Sequence, residues 1–187
     1  SGTIPELDRV AREFALVNKR SAAEVCEQPD ICPIAGACGR EGAVPCVEMN
    51  RAHERKLGIC DALEAIADDL PSSIDRFRCL EVASSLVPLL RECHRYEEEI
   101  VYPAFEIGGP ARGAASTVKR LRAEHVEDEC AAQDLSEALL AIGHGEAVSN
   151  PEALGFMLRA FFEGVRRHVA FEQEHVLPLM HRSGASH

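Results

Sequence analysis

Two segments of the chain place a histidine four residues before a glutamate. His94 precedes Glu98 in the first segment, His168 precedes Glu172 in the second, and a proline follows a few residues later in each. On an α-helix, side chains four residues apart lie one above the other on the same face. An imidazole and a carboxylate placed in this way can bind one hard or borderline metal ion. The repeat therefore predicts two bound ions, or two halves of one metal site.

Helices must position these side chains, and the spacing of apolar residues predicts four long ones. Apolar residues recur every three or four positions, without the alternation that indicates a β-strand. The predicted helices span residues 47–70, 72–106, 115–142 and 150–181. Pro88 lies inside the second helix and predicts a kink or a break there, whereas Asn150 followed by Pro151 is typical of a helix start. Long helices joined by short links predict an all-α protein with an antiparallel, up-down-up-down four-helix bundle.

The first 46 residues differ in composition from the rest of the chain. A short helix is predicted from Thr3 to about Lys19, and a loop containing cysteine, proline and glycine follows it. The cysteines of this loop and its end are Cys26, Cys32, Cys38 and Cys46. They could form a second metal site, a redox-active set or disulfides, or pack as small buried thiols. We therefore predict two regions, residues 1–46 with the N-terminal helix and the loop, and residues 47–187 with the bundle. Packing is the role expected for the cysteines in the predicted helices, which are Cys60, Cys79, Cys93 and Cys130.

Polar residues interrupt the apolar stripe of each predicted helix. A histidine stands on every stripe where leucine would pack better, and two stripes also carry a glutamate. These six residues are His53, His94, Glu98, His125, His168 and Glu172. One such histidine alone would be an ordinary core or surface residue, but a buried carboxylate without a partner is costly, and a metal ion supplies the missing charge. The six residues are therefore predicted to bind Fe, Mn or Zn, while Glu97, Glu99 and Glu174 fall off the stripes and should be solvated.

With these motifs, the chain resembles the hemerythrin-like, or HHE cation-binding, domain family over about residues 47–181. That family folds as a four-helix bundle around a non-haem di-iron centre. The resemblance implies two iron ions per chain, each bound by two histidines and both bridged by two glutamates and an oxo, hydroxo or water ligand. In this chain, His53 and His94 would bind one ion, His125 and His168 the other, and Glu98 and Glu172 would be the bridges. Zn or Mn are the substitutes considered for Fe.

Two positions depart from the oxygen-carrying members of that family. Those proteins carry a second histidine on the third helix, where this chain has Glu129, and an aspartate on the fourth helix, where this chain has Gln173. A site with more carboxylates is harder and favours ferric iron, which argues against simple reversible oxygen carriage. Glu129 is expected either as a further ligand or as the hydrogen-bonding partner of one. Tyr102, one turn beyond Glu98, could reach the site or belong to the core.

The resemblance and its departures predict a protein that binds or reacts with O2, NO or peroxide in sensing, stress response or iron handling. The alternatives are a di-iron oxidoreductase that turns over peroxide or NO with an electron-donor protein, a protein that repairs iron centres, and a bundle stabilised by zinc. The formal net charge of −11 argues against nucleic acid and anionic membranes as partners. The sequence contains no apolar run of membrane-spanning length, and we expect a cytoplasmic protein.

Overall fold

The computed structural model describes residues 43–108 and 113–179, which all belong to the second of the chain's two units, Gly39–His187. These residues form helices and no strand. The helices are α1 (Ala43–Asp68), α2 (Arg76–Tyr96), α3 (Tyr102–Gly108), α4 (Ala114–Gly143) and α5 (Pro151–Phe171). A π-helical turn at Glu97–Val101 joins α2 to α3, and a second one at Glu172–Val176 extends α5. Within the described ranges, no helix has the length and apolar character needed to cross a lipid bilayer.

The long helices run antiparallel to their neighbours. Asp68 at the end of α1 accepts a hydrogen bond from Arg159 in the first half of α5. His168 near the end of α5 likewise contacts Glu124 near the start of α4. Helix α1 packs against α2 and α5, and α4 packs against the same two helices. The prediction of an all-α, up-down-up-down four-helix bundle is therefore confirmed, with α2, the first π turn and α3 forming its second helix.

Two apolar clusters fill the bundle, and the buried polar residues lie between them. On α1, His53 lies between Met49 of the smaller cluster and Ile59 of the larger cluster. The third helix of the bundle has the same order along the chain, and the second and fourth helices, which run in the opposite direction, have the reverse order. Because 3.6-residue periodicity keeps one face of each helix inward, apolar side chains enclose the polar residues on both sides along the bundle axis.

Capping side chains explain where two of the helices begin. Asn150 caps α5 as predicted, since its side-chain oxygen accepts a hydrogen bond at 2.9 Å from the backbone N–H three residues further on. The sequence predicts that the second helix starts near Ser72, but it starts at Arg76. The reason is Asp75, whose carboxylate accepts bonds of 2.9 and 3.2 Å from the N–H groups two and three residues on. A carboxylate at this position satisfies N–H groups that have no partner within the helix.

The break considered at Pro88 is absent, and the kink considered there stays a prediction. Helix α2 continues through Pro88, although proline supplies no N–H to the helical hydrogen bonds. Its neighbours Leu86, Val87 and Leu90 are buried in the larger apolar cluster. The departure from α-helical geometry occurs instead at Glu97–Val101.

The cysteines of the described helices differ in exposure. Cys60, Cys79 and Cys93 are buried, in agreement with a packing role, whereas Cys130 is exposed. Cys46 is buried in the smaller cluster. Several predictions fall outside the described residues: the N-terminal helix, the segment with Cys26, Cys32 and Cys38, and the helix end at His181. The boundary between residues 46 and 47 stays a prediction.

Candidate metal centre

One buried histidine from each long helix lies at the centre of the bundle. The four are His53, His94, His125 and His168. The rings of His94 and His125 stack with their centroids 3.8 Å apart. Nε2 of His125 lies 3.3 Å from Nε2 of His168. The histidines that the sequence places on four separate apolar stripes are therefore close together in the interior.

Two glutamates with fully buried side chains, Glu97 and Glu172, lie among these histidines. Glu172 Oε2 is 3.0 Å from His53 Nε2, and Glu172 Oε1 is 3.5 Å from His168 Nε2. Glu97 Oε2 is 3.2 Å from His125 Nε2. Ligand atoms from Glu97, His125, His168 and Glu172 all lie within 4.8 Å of one another, and the described residues hold no other such group of histidine, cysteine and carboxylate side chains. One metal ion could therefore contact all four residues.

The structure places Glu97, and not Glu98, inside this cluster. The side chain of Glu98 is 37% exposed, and its Oε1 lies 2.8 Å from Nδ1 on the outer edge of His125. The expectation that Glu97 is solvated is wrong, because a residue three positions after His94 also shares its face of the helix. A π turn begins at Glu97, so the spacing of an α-helix no longer assigns faces beyond that residue. Glu98 as a metal ligand stays a prediction. The other glutamates expected to be solvated, Glu99 and Glu174, are exposed.

For three of the four histidines, a glutamate contacts the ring nitrogen that points away from the centre of the cluster. In each pair a carboxylate oxygen contacts Nδ1, so Nε2 faces the interior. The pairs are His94 with Glu129 at 3.1 Å, His125 with Glu98 at 2.8 Å, and His168 with Glu124 at 2.9 Å. A carboxylate in this position orients a metal-binding imidazole and makes it more basic. Of the two roles expected for Glu129, the geometry supports the hydrogen-bonding partner of a ligand.

The nitrogen atoms of this cluster are suited to a metal ion. Within the described part of the chain, His94 Nε2 and His53 Nδ1 are buried and have no hydrogen-bond partner. Burial, followed by the neighbouring His125, lowers the pKa of His94 to about 2, so the ring is neutral and keeps a lone pair. A buried polar atom without a partner is costly, and a bound ion would remove that cost. Imidazoles and carboxylates together fit Fe, Mn or Zn.

The cluster also contains Lys56, which is not among the site residues predicted from the sequence. Its Nζ is fully buried, 2.6 Å from Glu97 Oε1 and 3.6 Å from Glu172 Oε2. Burial opposes its charge, but these two carboxylates raise the pKa of Lys56 above its ordinary value. One signal in the sequence does mark this residue: it follows His53 by three positions and precedes Cys60 by four, on the apolar stripe of α1.

Tyr102 reaches the cluster and bonds two of its members. Its hydroxyl lies 3.0 Å from His125 Nε2 and donates a hydrogen bond of 2.9 Å to Glu172 Oε1. Burial, and then the negative charge of Glu172, raise the pKa of Tyr102. The phenol therefore keeps its proton at neutral pH.

A four-helix bundle with buried histidines and carboxylates at its centre is typical of a class of cation-binding helical proteins. The family model of the hemerythrin HHE cation-binding domain matches residues 45–180, which is more than half of the chain. The chain therefore belongs to the hemerythrin HHE cation-binding domain family, as its motifs predict. Comparisons with curated proteins and with solved structures gave no significant match.

Proposed function

We propose that this chain is a non-haem iron protein that binds or reacts with O2, NO or peroxide in sensing, stress response or iron handling. The observation that supports this most directly is the buried cluster of four imidazoles and two carboxylates. Membership of a cation-binding family supports a metal in this position. The apolar clusters on either side would keep bulk water away from a reactive ion.

The proposed ligands differ in one residue from those that the sequence predicts. Glu97 replaces Glu98 as the carboxylate from the second helix, because Glu97 is the buried one. The other candidate ligands are Glu172 and the four histidines His53, His94, His125 and His168, and among all six the ligand atoms of Glu97, His125, His168 and Glu172 lie within 4.8 Å of one another. Burial raises the pKa of Cys60 to about 12 and that of Cys93 to about 11, so these nearby thiols stay protonated and are poor ligands. A set of imidazoles and carboxylates without thiolate supports iron.

The residues around the ion would hold its ligands in place and keep their charge states fixed. Bound iron would supply the redox change and an open position for a small ligand. The outer glutamates orient the imidazoles. Burial opposes the ionisation of Glu172, but Lys56 and hydrogen bonds from His168 and His53 hold the pKa of Glu172 well below its usual range. Tyr102 keeps its proton and donates a hydrogen bond to Glu172 Oε1, so a neutral hydrogen-bond donor holds this carboxylate in place.

Metal analysis combined with an optical spectrum tests this proposal. The full chain, purified without an affinity tag from iron-replete cells, should contain iron. Its ferrous form, prepared anaerobically, should change its spectrum when O2, NO or peroxide is added. His168→Ala should lose the iron, and His175→Ala, at a half-exposed position two turns further on, should keep it. Protein that holds no metal, or zinc alone, would contradict the proposal.

The same preparation separates a binding protein from an oxidoreductase. Peroxide is added to the ferrous protein in the presence of a reductant, and the peroxide that remains is followed over time. A single stoichiometric oxidation is the result expected of a sensor or an iron store. Sustained consumption would instead identify an enzyme that draws on an electron donor.

A further inference from the structure

The two oxygens of Glu172 face different groups. On one side, Oε1 contacts the hydroxyl of Tyr102 at 2.9 Å and lies 3.5 Å from His168 Nε2. On the other side, Oε2 lies 3.0 Å from His53 Nε2 and 3.6 Å from Lys56 Nζ. Glu172 therefore stands between two halves of the cluster.

Glu97 also contacts both halves. Its Oε2 lies 3.2 Å from Nε2 of His125 and accepts a hydrogen bond of 2.8 Å from Nζ of Lys56, and its Oε1 lies 2.6 Å from the same Nζ. Each of the two buried carboxylates thus contacts Lys56 and also reaches His125 or His168. In a centre with two ions, bridging carboxylates direct one oxygen to each ion. Here the ammonium group of Lys56 lies on one of the two sides, where a two-ion centre would have its second ion.

The charges in the cluster also favour a single bound metal ion. The ammonium group of Lys56 lies against both buried carboxylates and offsets part of their negative charge, and a second metal ion in the cluster would face this ammonium. Like charges a few ångströms apart repel strongly in a site shielded from water. Removing the ammonium is also unfavourable, because a buried carboxylate that loses its partner is left uncompensated. The group whose ligand atoms converge within 4.8 Å consists of Glu97, His125, His168 and Glu172, and it does not include His53, which meets Glu172 at the oxygen that faces Lys56.

We propose that Lys56 takes the place of the second metal ion, so that the chain binds one ion, held by Glu97, Glu172, His125 and His168. This inference rests on the proposed function, because both require that the cluster binds a metal. It adds the number of ions that the chain binds. His53 then acts through its contact with Glu172 Oε2, as a positioning residue on the Lys56 side.

Metal stoichiometry in the full chain is the direct test. Metal-free protein is titrated with Fe(II) without oxygen, desalted, and analysed for iron per chain. The wild-type protein should bind one ion. Lys56→Glu removes the ammonium and adds a ligand, and should bind two. Lys119→Glu makes the same charge change at an exposed position and should still bind one.

The outcomes separate this inference from the proposed function. Two ions in the wild-type protein would overturn the role of Lys56 while leaving a metal-binding function intact. One ion in a folded Lys56→Glu variant would also overturn it, since something other than the ammonium would then exclude the second ion. No bound iron in the wild-type protein would remove the proposed function, and the inference with it.

A second measurement does not depend on how the variant folds. In wild-type protein loaded with iron and oxidised in air, isolated high-spin ferric ions give an electron paramagnetic resonance signal, whereas two bridged ferric ions couple and give none. The spin count should equal the iron content of the sample. A signal that accounts for only a small part of the bound iron would show a bridged pair and overturn the inference.

Discussion

Glu97, Glu98 and Glu99 are consecutive in the chain and have three different surroundings. Glu97 is fully buried against Lys56 and His125. Glu98 is 37% exposed and contacts the outer nitrogen of His125, and Glu99 faces solvent. One substitution made at each position therefore removes a proposed ligand, the partner of a proposed ligand, and a surface charge.

We expect the three glutamine variants to differ in Fe(II) affinity. Glu97→Gln removes a charged ligand and should weaken binding by more than about 100-fold, since loss of a partner such as Glu98 typically costs about 10- to 100-fold. Glu98→Gln should fall within that smaller range, and Glu99→Gln, the matched control, should bind as the wild type does. Competition with a coloured chelator under anaerobic conditions measures all three. If Glu98→Gln lost as much Fe(II) affinity as Glu97→Gln, Glu98 and not Glu97 alone would have to be counted as a ligand.

At the scale of single residues, the sequence predicts the histidines and misses two of their neighbours. Each histidine replaces an apolar residue in a regular stripe, so its position can be read from spacing. Glu97 is missed because spacings of three and four residues both keep a side chain on the His94 face, and only the packed structure selects between Glu97 and Glu98. Lys56 is missed because lysine is almost always exposed, and the carboxylates that justify its burial come from two other helices.

At the scale of elements, the two helices that carry a buried carboxylate change geometry at that residue. Glu97 is the first residue of one π turn and Glu172 is the first residue of the other. Such turns are rare and frequently occur at functional sites. Val101 and Val176, at the ends of the two turns, are buried in the smaller apolar cluster. The sequence predicts the long helices because their apolar spacing extends over many turns, but five residues are too few to show a change of period.

The contact between the end of α4 and the start of α2 leaves no room for a side chain at Gly143. A Cβ atom there would overlap Cγ of Leu80 and lie 3.2 Å from the carbonyl oxygen of Arg76. Gly143→Ala should therefore lower the free energy of unfolding by about 1–3 kcal/mol, the usual cost of overpacking. Denaturant unfolding of the metal-free protein, followed by circular dichroism, measures this change.

Gly58→Ala is the matched control for that experiment. Gly58 is exposed in the middle of α1, and a Cβ there meets nothing within 4 Å. Alanine should raise the free energy of unfolding by about 0.5–1 kcal/mol, because glycine is a poor helix former. Equal stability of the two variants would show that the helix ends at Gly143 pack more loosely than the structure indicates.

At the scale of the whole molecule, the candidate metal centre connects all four long helices of the described bundle. Each helix contributes a buried histidine, and apolar clusters lie on both sides of the centre. The sequence predicts this architecture because periodic apolar stripes and short links leave few other ways to bury the stripes. An ion held by ligands from several helices adds its binding free energy to the folding free energy, so loading should stabilise the entire bundle.

Cys60 provides a measure of that stabilisation. Its thiol is fully buried in the larger apolar cluster, and burial raises its pKa to about 12. Because the thiolate is the reactive form, alkylation of Cys60 at pH 8 requires unfolding of the bundle. Free Fe(II) at 100 times its dissociation constant should stabilise the fold by about 2.7 kcal/mol, which corresponds to alkylation about 100-fold slower than in metal-free protein.

Mass spectrometry of the individual cysteine peptides, after anaerobic iodoacetamide treatment with and without Fe(II), measures this rate. Cys130 is exposed and serves as the control within the same molecule, since its alkylation does not wait for unfolding and should proceed at one rate in both samples. Slower alkylation of Cys130 as well would indicate that iron consumes the reagent. Equal rates at Cys60 in iron-loaded and metal-free protein would show that the ion binds without stabilising the bundle, which is incompatible with ligands contributed by several of its helices.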